Sequence, residues 1–256
     1  MVLALNKQKI AQCFRRSMES YDEAAIVQNK LAGRLVRALE GLPDRAFRRV
    51  FEIGCCTGAL TEMLCREREV RTLFLNDLVP EFEDLVLQRL DTFQGTEKIP
   101  SFGDIEDLEL PRGLSMVLSG ATFQWLSDLP GFLNKLAESL QPGAYLAFSL
   151  FGPGTLKEFS SITSVALHYF SDDEILSFLK TDFMVLSHHS HDDTIFFPSV
   201  REVLGHIRST GVGGVSQYQW TRECLRSFES QYVSDFKQES GVPVSYVSST
   251  FVLRRR

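Results

Sequence analysis

Phe51-Glu52-Ile53-Gly54-Cys55-Cys56-Thr57-Gly58 carries the strongest chemical signal in the sequence. The apolar run 49–53 leads into it and a helical pattern over 59–66 leads out. Glycine in such a turn lets backbone come close to a ligand, and ligands of open α/β sheets bind at the carboxyl ends of the strands. The spacing is G-x-x-x-G. A dinucleotide site wants G-x-G-x-x-G, to seat a pyrophosphate on a helix N-terminus. A P-loop wants Gly-Lys-Ser/Thr, and here Gly58 is followed by Ala59-Leu60. Two acids follow the next two strands. Asp77 comes after the run 70–75, placed to accept both hydroxyls of a ribose. Asp104 comes after the run 98–102, placed to accept from an adenine amine. Either acid alone would read as an exposed loop residue; with the glycine turn they point to an adenosine site.

The elements that must position these residues alternate. Strands are expected at 49–53, 70–75, 98–102, 114–118 and 144–150, with helices at 59–66, 81–90 and 129–140. That order predicts an α/β fold: a Rossmann-like doubly wound sheet, mostly parallel, with helices on both faces. Beyond Phe151 the alternation loosens. Helices are expected at 155–164, 172–180, 200–209 and 221–238, and strands at 184–191 and 244–253, the last one antiparallel. Upstream, Ile10, Phe14, Met18 and Tyr21, then Ile26, Leu31, Leu35 and Leu39, recur at helical spacing, so 7–40 reads as helix. Gly41-Leu-Pro43 stops it. The chain reads as a single domain over 1–256, with 1–40 a helical lid and roughly 155–240 containing cap helices.

The net charge of −6 over 256 residues argues against a protein that grips nucleic acid along its whole surface. The five cysteines form no C-x-x-C pair, so free thiols in a reducing cytosol are expected. The N-terminus turns polar at Asn6-Lys7, unlike a signal peptide. No apolar run approaches the ~20 residues that span a bilayer. A cytoplasmic protein without a membrane is expected.

Glu52-Ile-Gly-Cys-Cys-Thr-Gly58 resembles the first motif of the class I methyltransferases that use S-adenosylmethionine, usually E-x-G-x-G-x-G. Cys56 stands where the middle glycine is usual. Ser115 to Ser119 fills the fourth-strand motif without its usual acid. A narrower resemblance covers nearly the whole chain. Asn6-Lys-Gln8, Ile10, Phe14, Tyr21 and Gln28 are similar to the opening of the malonyl-acyl carrier protein O-methyltransferases of biotin synthesis. So are Gly103-Asp-Ile-Glu106, Phe123-Gln-Trp-Leu126, Gly154-Thr-Leu-Lys-Glu158, the segment 207–212, Leu225 and Pro243-Val-Ser-Tyr246. Their order along the chain is more specific than the glycine motif.

That resemblance implies methyl transfer from S-adenosylmethionine to the free carboxylate of a malonyl thioester on an acyl carrier protein. The cofactor residues it implies are Glu52, Gly54, Cys55, Cys56, Gly58, Asp77, Leu78, Asp104, Ile105, Ser119 and Gly120. A carboxylate is already ionised at pH 7, its pKa lying near ~4, so no general base is needed. Catalysis would rest on in-line positioning in a site closed to water. Three residues are expected at the reacting end. Arg208 would touch one carboxylate oxygen, or the thioester and pantetheine arm. Tyr21 would reach cofactor or carboxylate from the lid, and Trp125 would wall the pocket beside Gln124. Each also has a plain reading: a solvated helix arginine, a core aromatic, helix-to-sheet packing. An acidic carrier needs a basic patch on an acidic chain, and Arg201, Arg208, Arg222 and Arg226, with Arg34 and Arg37, are candidates.

Other signals are set aside. His188, His189 and His191 look like a metal cluster, but an exposed strand end is the simpler reading and no metal is expected. Cys55 and Cys56 have no histidine partner and read as small fillers. Two alternatives remain: a methyltransferase of the same fold for another small acid or a quinone-type ring, and a non-catalytic protein that binds S-adenosylmethionine. The oligomeric state is not readable.

Overall fold

The structure, a computed structural model, describes residues 5–210 and 220–256. Gly211 and Val212, part of the expected landmark 207–212, lie outside the described residues. Five strands run parallel: β1 (Ala46–Ile53), β2 (Glu69–Asn76), β3 (Glu97–Pro100), β4 (Leu114–Gly120) and β5 (Leu140–Phe151). β6 (Phe183–Phe197) and β7 (Val242–Arg255) complete a seven-stranded sheet in the order β3-β2-β1-β4-β5-β7-β6. β7 is antiparallel to both neighbours. The order reverses between β1 and β4, and a crevice opens there at the carboxyl ends of the strands.

Helices cover both faces. α4 (Ala59–Glu67), α5 (Phe82–Arg89) and α6 (Leu129–Ser139) follow β1, β2 and β4. Val50, Leu73, Met116 and Ala147 pack one face of the sheet, against Leu60 and Leu64 of α4. Phe51, Val117, Phe148 and Phe251 pack the other, against Phe132 and Leu136 of α6. α7 (Lys157–Thr163), α8 (Asp172–Leu179), α9 (Val200–Ser209) and α10 (Arg222–Phe236) occupy the second half of the chain. Val203, Phe228 and Tyr232 join Phe151 and Tyr246 in a third core over the end of β7.

The N-terminal helical stretch is not one rod. α1 (Lys7–Ser17), α2 (Tyr21–Ala24) and α3 (Ile26–Ala38) are separated by a turn at 18–20 and by Ala25, whose ψ of 43° leaves the helical range. The break has a packing cause. A straight helix over 7–40 would be ~50 Å long and could press only one line of side chains onto the molecule. Broken, it sends Ile10 and Phe14 of α1 over the crevice and buries Leu35 and Val36 of α3 beside the sheet. A second expectation also changes. The histidines do not end a strand: β6 runs on to Phe197, so they sit in its middle. His188 stacks on Phe251 and pairs with Asp172 at 2.8 Å.

Candidate active site

The turn after β1 is shaped by positive φ at Gly54 (74°), Cys56 (47°) and Gly58 (82°). A Cβ on Gly54 would lie 2.0 Å from Thr122 Oγ1, so only glycine fits there. The N–H groups of Gly54 and Cys55 donate to the Asn76 carbonyl, tying the turn to the end of β2. Asn76 in turn donates through Nδ2 to the carbonyls of Ser101 and Gly103, which fixes the loop that carries Asp104.

Asp77 is buried at the floor of the crevice. Its carboxylate accepts from the N–H groups of Cys56 and Val79, each at 2.9 Å. Burial nevertheless pushes its pKa up to about 6. Glu52 lies deeper and accepts from the Thr61 hydroxyl. Burial raises it to about 8, with the nearby Asp77 charge adding to the rise. Burial also raises the Cys55 and Cys56 thiols, so both stay protonated at neutral pH. The Cys56 side chain is hydrogen-bonded to Tyr21.

One cavity gathers most of the expected residues: Tyr21, Gly54, Cys56, Asp77, Leu78, Asp104, Ile105, Gly120 and Trp125. Glu52, Cys55, Gly58 and Ser119 are not on its wall; they stand behind it, with Ser119 Oγ donating to the Ile53 carbonyl. Ile10 and Phe14 close the cavity from above, and Phe14 meets Trp125 edge-on at 5.8 Å between centroids. Arg208 lines a neighbouring groove instead, with Arg16, Arg201, Cys13 and Trp220. Helix α1 walls both spaces, Ile10 and Phe14 toward the cavity, Cys13 and Arg16 toward the groove. Of the suggested basic patch, Arg201 pairs with Glu229 at 2.9 Å and Arg34 is committed to Asp193.

Several lining residues went unassigned in the sequence: Lys7, Gln28, Asn76, Thr122, Tyr169 and Tyr246. Lys7, Gln28 and Tyr246 fall within stretches that carry the family resemblance, but nothing in their spacing says that they meet. Gln28 Oε1 and Gln124 Oε1 are buried without hydrogen-bond partners. Orphaned buried acceptors beside a cavity suit a polar ligand that supplies donors.

This donor set fits S-adenosylmethionine. Asp77 offers two carboxylate oxygens where ribose hydroxyls would donate, and Asp104 offers one to an amine, between Leu78 and Ile105. The turn at Gly54 admits backbone contact.

The comparisons with known proteins agree. Residues 51–148 match the family model described as a methyltransferase domain. Protein BH2331 of Bacillus halodurans C-125 superposes with a TM-score of 0.63, over 87% of this chain and 97% of its own. At 13% identity that likeness shows the fold alone. A malonyl-[acyl-carrier protein] O-methyltransferase of Prosthecochloris aestuarii is 36% identical over 94% of this chain and 91% of its own length. One of Calditerrivibrio nitroreducens is 34% identical over 94% of each. The chain belongs to the malonyl-acyl carrier protein O-methyltransferase family.

Membership of that methyltransferase family makes S-adenosylmethionine the methyl donor. When bound in this cavity, its sulfonium would supply an electrophilic methyl group, with Asp77 and Asp104 as the acids placed to hold the cofactor. Among the described residues no helix is long and apolar enough to cross a membrane.

Proposed function

We propose that the acceptor is the free carboxylate of a malonyl group held as a thioester on an acyl carrier protein, the product being its methyl ester. The observation that carries this reading is full-length similarity to proteins of that name, at 36% identity. The cavity's chemistry supports it. An ionised carboxylate needs no base, and the Asp77 and Glu52 carboxyls are engaged inside the protein framework. The contribution asked of the chain is orientation and exclusion of water. Ile10, Phe14 and Trp125 supply an apolar wall for that purpose. We assign Tyr21 to the cofactor side, because its hydroxyl is turned to Cys56 and the Asp77 charge is close by. We assign Arg208, with Arg16, to the carrier's anionic prosthetic arm, because both line a groove that shares α1 with the cavity. The N-terminal helices act as a lid on this reading. The reaction belongs to an early step of biotin synthesis, in the cytoplasm, without nucleic acid or membrane.

The test is incubation with methyl-labelled S-adenosylmethionine and, in parallel, malonyl carrier protein, malonyl-CoA and free malonate. Label should enter the carrier-bound acyl group much faster than the free acid, as read by mass. Cofactor binding without transfer to any of the three would overturn the malonyl assignment and leave the fold intact.

A further inference from the structure

A malonyl carboxylate in this cavity needs a partner, and the cavity is short of positive charge. Among the described lining residues Lys7 is the cation. Its ammonium is already bonded to Asp104 at 3.0 Å and Glu106 at 2.7 Å, at the adenine end. Neutral donors must therefore hold the acceptor. Asn76, Thr122 and Thr210 donate to backbone carbonyls, and two more side chains do the same. Gln124 Nε2 donates to the Ala121 carbonyl and Thr155 Oγ1 to the Val247 carbonyl. The Tyr21 hydroxyl meets Cys56. Tyr169 and Tyr246 line the same cavity.

Tyr246 differs from the rest in being backed by a second polar group. Its hydroxyl lies 2.8 Å from Nε2 of His206 on α9, and both residues are buried. Phe197 and Tyr246 flank the imidazole at 5.0 Å and 6.0 Å between centroids. Burial lowers the His206 pKa, so the ring is neutral at pH 7 and carries one proton. With that proton on Nε2, the tyrosine oxygen accepts it and the phenol hydrogen must turn elsewhere. Glu158, a buried carboxylate nearby, already accepts from the Ser245 N–H at 3.1 Å and the Ser245 hydroxyl at 2.5 Å.

We propose that Tyr246, oriented by an Nε2–H donor from His206, gives its phenol hydrogen to one oxygen of the acceptor carboxylate and leaves the other oxygen free to attack the methyl group. Tyr246 is then a catalytic residue and His206 a positioning residue. A neutral donor suits this task. A bidentate guanidinium would hold both oxygens and quench the nucleophile, whereas one phenol orients one oxygen and leaves the negative charge largely on its neighbour. This inference rests on the carboxylate reading above.

The experiment compares the wild type with Tyr246→Phe, His206→Gln and His206→Leu, using malonyl carrier protein as acceptor. Wild-type turnover is the control for the carboxylate reading itself; without it that reading fails, whatever the variants do. Given turnover, Y246F should lose about 10- to 100-fold in kcat/KM for the acceptor, the effect of removing one hydrogen bond to a charged group. Its dissociation constant for S-adenosylmethionine, measured by calorimetry, should stay within about twofold, since the cofactor residues are untouched. H206Q presents an amide N–H near the same point and should keep most of the activity. H206L should lose it as Y246F does, and the double variant should be no slower than Y246F, because the two act as a unit. Y246F at wild-type kcat/KM overturns the proposal. So does a parallel loss of cofactor affinity and thermal stability in both Y246F and H206Q, which would mark the pair as structural.

Discussion

Lys7 and Asp104 are 97 residues apart in sequence and 3.0 Å apart in space. The lysine opens α1, the aspartate follows β3, and the same ammonium reaches Glu106 at 2.7 Å. Glu106 also accepts from the N–H groups of Ser127 and Asp128, so one lysine ties the N-terminal helix to the loops that follow β3 and β4. Asp104 takes both the lysine and the Glu106 N–H on Oδ1. Its other oxygen stays available to an amine.

Loss of this tie should loosen the N-terminal helices. The pair is about one-fifth exposed, beyond a bare surface contact. Lys7→Met is expected to cost about 1 kcal/mol of closure, read as an approximately fivefold faster release of S-adenosylmethionine in stopped-flow. An unchanged release rate would show that α1 is held by its other contacts, Ile10 and Phe14 over the cavity and the Arg15–Glu81 pair at 2.6 Å.

Asp77 makes cofactor binding depend on pH. Its folded pKa is about 6, and only the ionised form accepts from two hydroxyls at once. Affinity should therefore rise as pH goes up through about 6 and level off above it. Asp77→Asn should bind at least about 10-fold more weakly and give a flat profile. Calorimetry between pH 5 and pH 8 distinguishes the two curves.

Glu52 makes stability depend on pH with the opposite sense from an ordinary paired carboxylate. Its pKa rises from 4.5 to about 8 on folding, so the folded chain binds this proton more tightly than the unfolded one. The stabilisation is full below the unfolded value and is lost as pH rises through the folded value. Asp77 acts with the same sign over a lower window, from 3.8 to about 6. The ligand-free protein should lose stability from pH 5 to pH 9, and Glu52→Gln, neutral throughout, should show a shallower fall. Urea midpoints at a series of pH values provide the measurement; equal slopes in both proteins would contradict the assignment.

Cys56 holds φ at 47°, a conformation that costs a side-chain-bearing residue about 1 kcal/mol. Cys56→Gly removes that cost and also the thiol contact with Tyr21, leaving a net change between zero and about 1 kcal/mol in favour of folding. Cys56→Ala keeps the backbone cost and loses the contact, so it should be the less stable variant. Chemical denaturation of the pair separates backbone from side chain.

The glycine turn and its two acids were readable because each is a local event: a strand ends, the chain turns, and the residues needed for the turn are adjacent. The expectation of an adenosine site followed from that. The helices of the first 40 residues were readable as apolar spacing, but not their breaks at 18–20 and Ala25, since periodicity reports which side is apolar and not what the side packs on. β6 was read short because Asp192-Asp193-Thr194, a polar run that disfavours a strand, interrupts it before the apolar Ile195-Phe196-Phe197 on this edge strand. Its pairing with β7 over Val242 to Arg255 is a long-range contact that local propensity does not carry.

The sequence by itself determined the order of strands and helices, the glycine turn at Gly54 to Gly58, and the acids Asp77 and Asp104 that follow the next two strands and line the cavity. These depend on neighbours in the chain. Only the tertiary structure decided which distant residues share the cavity. It put Arg208 in the adjoining groove, brought Lys7 to Asp104, and set His206 behind Tyr246. Those relations are fixed by how α1 and α9 pack on the ends of the strands, and a helix carries no mark of which of its polar residues will meet another element until its apolar face has found its place.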